Sequence, residues 1–279
     1  MSQKKVTIQQ LKEYKEKGQK WTWTICYDYT FASIVEESKT EMILVGDSMA
    51  NVIMGEPSTL PATMDAMVHH IKCVTKGAPN TFVVGDMPFG SYQVSDEDAV
   101  KNACRLMKEG GCDCVKLEGG ANMASRIKAI VDNGIPVMAH IGLTPQSISA
   151  LGGFKVQGKD ASVAEKLLAD AKAVTEAGAF AICLECVPVG LGKAITESVD
   201  IPVCGIGAGI FCDGQELNFY DLMGINKFKA KFVKHYVDLR EIMVGALDAF
   251  YDETCAGKFP TREYSYNAVV PGYEPGDYE

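Results

Sequence analysis

The chain has 279 residues, 47% of them hydrophobic and 23% charged. These are ordinary proportions for a globular protein, and they exclude disorder, collagen-like repeats and a coiled coil. With 27 basic and 36 acidic residues the formal net charge is −9, which argues against nucleic acid as a partner because phosphate backbones select basic faces.

The length admits two small domains or one α/β barrel of about 250 residues. The opening MSQKKVTIQQLKEYKEKG lacks the apolar core of a secretory signal. No run of about 18 apolar residues offers a membrane span. The 10 cysteines lie largely in apolar runs and read as buried, reduced thiols of a cytoplasmic protein. Cys183 and Cys186 form a C-x-x-C, but no second pair follows at zinc-site spacing.

Strand-like runs follow one another near 22–27, 42–45, 81–85, 113–117, 136–140, 180–184, 202–205 and 216–221. Amphipathic stretches such as 96–109, 121–133, 161–177 and 189–199 separate most of them. An internal echo supports this reading. Glu109–Glu118 resembles Glu176–Glu185, and Ile135–His140 resembles Ile201–Ile206, at offsets of 67 and 66 residues, as a repeated pair of β/α units would give. Nearly continuous apolar strands imply burial on both faces and a parallel sheet. Eight of them predict a (β/α)8 TIM barrel, with an open doubly wound sheet as the alternative. Residues 227–256 read as helix and 257–279 as irregular. The chain is therefore expected to be one domain, 1–279, with a C-terminal helical tail over about 227–279.

Parallel barrels build their active sites at the C-terminal ends of the strands, so the residues closing each strand are the candidates. They are Asp47 and Ser48, Asp86, Lys116 and Glu118, His140, and Glu185. Four carboxylates on one rim repel one another and favour protonation or a bound cation. Oxygen ligands without a Cys or His pair point to Mg²⁺ rather than zinc. Asp47 and Asp86 are the first choice as direct ligands, with Glu118 direct or through water. A single Asp after a strand is also a common helix N-cap, and His140 is equally readable as a core histidine. His69, His70 and His235 read as structural or surface residues. Gly205-Ile-Gly-Ala-Gly209 is either a phosphate cradle or a tight turn that leaves room for substrate.

The motifs Val45-Gly-Asp-Ser48, Ser58-Thr-Leu-Pro61, Gly85-Asp-Met-Pro-Phe89, Lys116-Leu-Glu-Gly-Gly120, His140-Ile-Gly-Leu-Thr-Pro-Gln-Ser147, Gly152-Gly-Phe-Lys-Val-Gln-Gly158, Leu184-Glu-Cys-Val-Pro188, Gly205-Ile-Gly-Ala-Gly209 and Asp213-Gly-Gln215 occur in this order. Together they resemble the ketopantoate hydroxymethyltransferase (3-methyl-2-oxobutanoate hydroxymethyltransferase) family, over roughly residues 5 to 265. The resemblance implies a (β/α)8 barrel of the phosphoenolpyruvate mutase type. It also implies Mg²⁺-dependent transfer of a hydroxymethyl group from 5,10-methylenetetrahydrofolate to α-ketoisovalerate, giving ketopantoate for pantothenate biosynthesis. A large homo-oligomer, typically a decamer, is implied as well. On the matching positions, Asp47 and Asp86 would bind Mg²⁺ with Glu118 contributing. Asp47, Ser48, Asp86 and Lys116 would contact the 2-oxo acid, His140 joins this substrate-side set, and Glu185 would be the catalytic base. Ala50-Asn51, Glu56-Pro57, Tyr220, Ala230 and Tyr264 depart from the family's usual residues. These departures keep open a paralogous Mg²⁺-dependent lyase or mutase acting on another 2-oxo acid.

Overall fold

The computed structural model describes residues 5–274 and 276. The chain divides into two compact units. One comprises Met1–Tyr220 and Lys229–Val233, the other Asp221–Phe228 and Lys234–Glu279.

The first unit is a closed eight-stranded barrel. Its strands are β1 (Trp21–Ile25), β2 (Met42–Val45), β3 (Phe82–Asp86), β4 (Cys114–Glu118), β5 (Val137–Gly142), β6 (Ala181–Glu185), β7 (Val203–Ile206) and β8 (Gly214–Asn218). Each pairs in parallel with the next, and β1 closes onto β8 with Trp23 opposite Glu216. The strands of β2, β3 and β4 are buried at every position, because helices cover the outside and side chains fill the inside. The internal echo falls on β4 and β6 and on β5 and β7.

Helices Tyr29–Glu36, Met64–Gly77, Asp96–Arg105, Ala124–Asp132, Ala161–Glu176 and Val189–Ser198 follow the first six strands in turn. Local chemistry starts several of them. Asp28, Thr63 and Ser95 each accept a backbone N–H of the first turn, satisfying donors that a helix leaves unpaired. Met67, Val68, Ile71 and Val74 then form the buried stripe of Met64–Gly77, at helical spacing.

The helix Ile8–Glu16 precedes the barrel. Lys15 Nζ lies 2.9 Å from Asp213 Oδ2, which also accepts the Val203 N–H. Lys5 Nζ lies 2.8 Å from Asp113 Oδ2, which likewise accepts the Val83 N–H. Two carboxylates at the N-terminal end of the barrel thus tie the leading segment to strands β3 and β7.

Three expectations are corrected. The eighth strand ends at Asn218 rather than 221, because Asn218 Oδ1 accepts the Tyr220 N–H and turns the backbone out of the ladder. No helix separates β7 from β8. Gly207 and Gly209, at φ +66° and +94°, fold the chain back through a short loop instead. Gly205–Gly209 therefore lacks the helix N-terminus that a phosphate cradle of this kind uses, and the tight-turn reading stands.

The third correction concerns the second unit, where the helix covers only Leu239–Cys255. Lys227-Phe-Lys-Ala-Lys-Phe-Val-Lys234 alternates with a period near two, so it cannot lay a stripe along a helix. Asp238 starts the helix by accepting the Glu241 N–H. His235 lies ahead of it, outside any helix. Apart from a single 3₁₀ turn, Arg262–Tyr264, the described part of 257–279 is irregular; positions 275 and 277–279 fall outside the described residues. No helix among the described residues is long and apolar enough to cross a membrane.

All ten cysteines are free, and seven are buried: Cys26, Cys112, Cys114, Cys183, Cys186, Cys204 and Cys212.

Candidate active site

Strand alternation decides which side chains meet inside a barrel. On β4 the inward set includes Lys116 and Glu118, and register pairs Asp86 with Lys116 and Glu118 with His140. Asp47, Asp86, Lys116, Glu118 and His140 are all buried, whereas Ser48 and Glu185 are half-buried and so face the open side.

Lys116 Nζ stands 2.7 Å from Asp86 Oδ1. Asp86 Oδ2 accepts the Asp47 backbone N–H at 3.1 Å. His140 bridges the next two acids, with Nδ1 3.5 Å from Glu118 Oε1 and Nε2 3.1 Å from Glu185 Oε2. The same Nδ1 lies 3.3 Å from Lys116 Nζ. One continuous array therefore joins β2, β3, β4, β5 and β6. Neither Asp47 nor Ser48 is spent as a helix cap: the Ser48 side chain makes no cap hydrogen bond to the short helix that follows it, and Asp47 Oδ2 accepts from Gln146.

Charge in this array is unbalanced. Burial, together with the neighbouring Asp86 and Glu118, pushes the Asp47 carboxyl well above its usual range. Burial also raises Asp86, against the pull of Lys116. Burial alone would discharge Lys116, but Asp86, Glu118 and Asp47 outweigh it and hold the ammonium charged. His140 follows the same logic: burial and Lys116 lower it, and the neighbouring Glu118 and Glu185 carboxylates lift it to about 9. The arrangement can hold an anionic ligand at Lys116, a cation among the acids, and a proton acceptor at Glu185.

The residues fit a hard divalent cation. The available donors are carboxylate oxygens, from Asp47, Asp86 and Glu118, in surplus over the single Lys116 ammonium. No group of three or more His, Cys, Asp and Glu side chains among the described residues forms a ready cage. Mg²⁺ does not need one, since it keeps several waters and takes one or two carboxylates. The C-x-x-C offers no zinc site in this geometry: Cys183 points its thiol at Glu216 Oε2, 3.4 Å away, and burial drives both thiols up, away from the thiolate a metal needs.

Two members of the array are not singled out by the strand-end inventory. Gln146 is buried in the 3₁₀ turn Pro145–Ser147 that follows β5. Its Nε2 donates to Asp47 Oδ2 and to the Met87 carbonyl, both at 2.9 Å, and its backbone N–H donates to Glu118 Oε2 at 2.9 Å. The Tyr92 hydroxyl donates to Gln146 Oε1 at 2.7 Å and accepts the Glu118 N–H. The available signal was Gln146 itself, a polar residue just past Pro145 on the same rim. Of the departing positions, Asn51 Nδ2 donates to the Glu56 carbonyl and closes that loop, and Tyr220 donates to Asp28 Oδ2.

A family model described as ketopantoate hydroxymethyltransferase matches residues 5–262. The 3-methyl-2-oxobutanoate hydroxymethyltransferase of Heliobacterium modesticaldum is 53% identical over 264 residues, covering 94% of this chain and 96% of the relative. That of Moorella thermoacetica is 51% identical over 263 residues, covering 94% and 98%. Among solved structures, a phosphonopyruvate hydrolase complex with oxalate and Mg²⁺ superposes with a TM-score of 0.60 at 12% identity, covering 95% of this chain and 92% of that one. A 2,3-dimethylmalate lyase, of the phosphoenolpyruvate mutase/isocitrate lyase superfamily, superposes with 0.58 at 13% identity, covering 92% and 91%. The structural neighbours carry the barrel type; the sequence matches, running along nearly the whole chain at about half identity, carry the rest. The chain belongs to the ketopantoate hydroxymethyltransferase family of transferases.

Proposed function

We propose that this enzyme transfers a hydroxymethyl group from 5,10-methylenetetrahydrofolate to 3-methyl-2-oxobutanoate in a Mg²⁺-dependent reaction, giving ketopantoate for pantothenate synthesis. The observation that carries the reading is the continuous array in which a buried Lys116–Asp86 pair, 2.7 Å apart, leads through His140 to the half-open Glu185, 3.1 Å from the imidazole. The acceptor is an anion whose C3–H is a weak acid. Making that carbon nucleophilic requires a base at C3 and positive charge at the 2-oxo oxygen.

Glu185 removes the C3 proton, and His140 Nε2 holds its carboxylate in place. Lys116 supplies a fixed ammonium to the developing enolate oxygen, and Asp86 fixes that ammonium. Ser48 and Asp47 contact the acid at the mouth of β2. Asp47 and Asp86, with Glu118, would hold Mg²⁺, and Gln146 orients two of these three carboxylates. When bound, the ion would act as a Lewis acid on the 2-oxo acid's oxygens. Water releases the donor's one-carbon unit as formaldehyde, breaking both of its C–N bonds and leaving tetrahydrofolate; the enolate carbon adds to the formaldehyde carbon, whose oxygen takes up a proton and becomes the hydroxyl. The phosphonopyruvate hydrolase of the same barrel type, solved as a complex with oxalate and Mg²⁺, supports a barrel of this kind accepting a small dianion and the ion. The folate donor rests on the motif resemblance.

Proton NMR of 3-methyl-2-oxobutanoate in D2O with enzyme and Mg²⁺ tests the reading. Loss of the C3–H signal is expected, with ketopantoate forming once the folate is added. Glu185→Gln should slow the exchange at least about 100-fold, the usual worth of a general base, while its unfolding midpoint stays near the wild type's. No exchange by the wild-type protein would overturn the assignment, and exchange with a different 2-oxo acid instead would favour a paralogous lyase or mutase.

We also infer a homo-oligomer. No residue of Leu239–Cys255 is buried, and Ile242, Leu247, Phe250 and Tyr251 are each more than half exposed. Such an apolar helix surface marks an interaction site. Light scattering at micromolar concentration should return a multiple of 30.2 kDa; a monomer mass would refute the inference.

A further inference from the structure

Behind Ser48 runs a chain of hydroxyl and amide groups that the proposed chemistry leaves unassigned. Ser48 Oγ lies 2.8 Å from the Tyr27 hydroxyl. Asn218 Nδ2 donates to that same hydroxyl at 2.8 Å. Tyr27 and Asn218 are buried, and only the Ser48 end of the chain reaches the half-open rim.

The direction of this chain follows from donor and acceptor chemistry. The Tyr220 N–H, 3.0 Å from Asn218 Oδ1, can only donate, so it fixes which end of the amide is oxygen. The nitrogen must then face Tyr27, and an amide nitrogen has no acceptor capacity. The Tyr27 oxygen therefore accepts from Asn218. A phenol is a better donor than an alkyl hydroxyl, so across the next contact Tyr27 donates and Ser48 accepts. The Ser48 proton is thereby turned outward as a donor, and each bond in the series polarises the next.

The surroundings hold the series in place. The Tyr27 ring packs against Tyr220 in a tilted pair, 5.5 Å between centroids, and the Tyr220 hydroxyl is anchored on Asp28 Oδ2 at 2.7 Å. A Cβ at position 46 would stand 2.8 Å from Ser48 Oγ, so Gly46 leaves the hydroxyl its place.

We propose that Asn218 and Tyr27 are positioning residues that fix the Ser48 hydroxyl as a hydrogen-bond donor to the anionic 2-oxo acid. The proposal rests on the reading of Ser48 as a contact of that acid, and it adds a polarity. The site selects an acceptor, such as a carboxylate oxygen, at Ser48 and discriminates against a ligand donating there.

The test measures affinity for 3-methyl-2-oxobutanoate by calorimetry on the full-length protein with Mg²⁺, alongside kcat and KM. Ser48→Ala should weaken binding about 10-fold, and Tyr27→Phe about 5-fold, the worth of a hydrogen bond or less. Asn218→Asp keeps the acceptor for the Tyr220 N–H but replaces the donor to Tyr27 by an acceptor. The Tyr27 proton then turns away from Ser48, and binding should fall about 10-fold. In all three, KM should rise while kcat stays within about 2-fold. In a Tyr27→Phe background, Asn218→Asp should add less than about 2-fold, because the path to Ser48 is already cut.

Wild-type affinity in Tyr27→Phe and Asn218→Asp, with Ser48→Ala still impaired, would overturn the proposal and leave the Ser48 contact standing. An Asn218→Asp penalty that persists undiminished in the Tyr27→Phe background would also overturn it, as a charge or folding effect. Wild-type affinity in Ser48→Ala would overturn the contact itself.

Discussion

Glu216 sits on β8 inside the barrel, and replacing it with glutamine should make the protein's stability less dependent on pH. Its Oε2 accepts from the Cys183 thiol at 3.4 Å, while Oε1 is buried without a hydrogen-bond partner among the described residues. Burial lifts its pKa from 4.5 to about 7, with Lys116 and His140 opposing the rise. The folded chain therefore holds this proton more tightly than the unfolded chain. Below about pH 4.5 both states are protonated and the group contributes nothing to pH dependence. As pH rises from there to about 7, the unfolded chain loses the proton first and stability falls. Above that window both states are ionised, and the accumulated penalty is about 3 kcal/mol, at 1.36 kcal/mol for each pKa unit. Glu216→Gln cannot ionise and escapes it. Urea unfolding of both proteins from pH 4.5 to 8, in chelator and at one protein concentration, should show the variant gaining about 3 kcal/mol on the wild type across the window. A difference that is constant with pH, or that shrinks as pH rises, would refute the reasoning.

Three further outcomes follow from the same geometry. Asp86→Asn strips the buried Lys116 of its ion-pair partner and should cost about 3 kcal/mol by denaturant unfolding, together with weakened Mg²⁺ affinity by calorimetry; unchanged values for both would remove Asp86 from its role. Gly142 has φ +94°, and a Cβ there would stand 2.3 Å from the Glu185 carbonyl oxygen, so Gly142→Ala should destabilise by about 2 kcal/mol and slow C3 exchange at least about 10-fold by moving the base. Cys186, next to Glu185, is in the left-handed region at φ +49°; Cys186→Gly should stay within about 1 kcal/mol of wild type, whereas the β-branched Cys186→Val should lose about 2 kcal/mol, and equal stabilities would deny the strain.

Much of the fold is legible because its signals are local. Met42–Val45 and Phe82–Val84 are apolar runs of strand length, each closed by a glycine and an aspartate, and the 67-residue echo of β4 in β6 repeats the pattern. The candidate acids were legible for the same reason. Gln146 was not, because it lies beyond the strand end, in a short 3₁₀ turn, and its contacts reach back to β2, β3 and β4, which no local pattern reports. The bounds of β8, Gly214–Asn218 rather than 216–221, were misread because polar residues there point inward: Glu216 and Asn218 alternate with Gln215 and Leu217, the reverse of a half-buried strand's usual code. The missing helix between β7 and β8 was hidden by Gly205–Gly209, whose glycines suit a phosphate loop and a sharp return equally well.

The acids at the two ends of the barrel differ in how they are compensated, and that difference separates bracing from chemistry. At the N-terminal end, Asp113 and Asp213 each accept a backbone N–H and face a lysine, Lys5 or Lys15. Each of these two charges has its cation beside it. At the C-terminal end, Asp47, Asp86, Glu118 and Glu185 share only Lys116 and His140. Part of the balance is neutral, through the Gln146 amide and the Asp47 N–H, which orient carboxylates without cancelling them. An end built for stability alone would gain from apolar replacements at these positions. An uncancelled group of acids, held in fixed orientation beside one buried ammonium, instead favours a cation and an anion arriving together. That is the pair the proposed reaction brings, Mg²⁺ and a 2-oxo acid, so the electrostatic imbalance at this end is itself an argument for what the site binds.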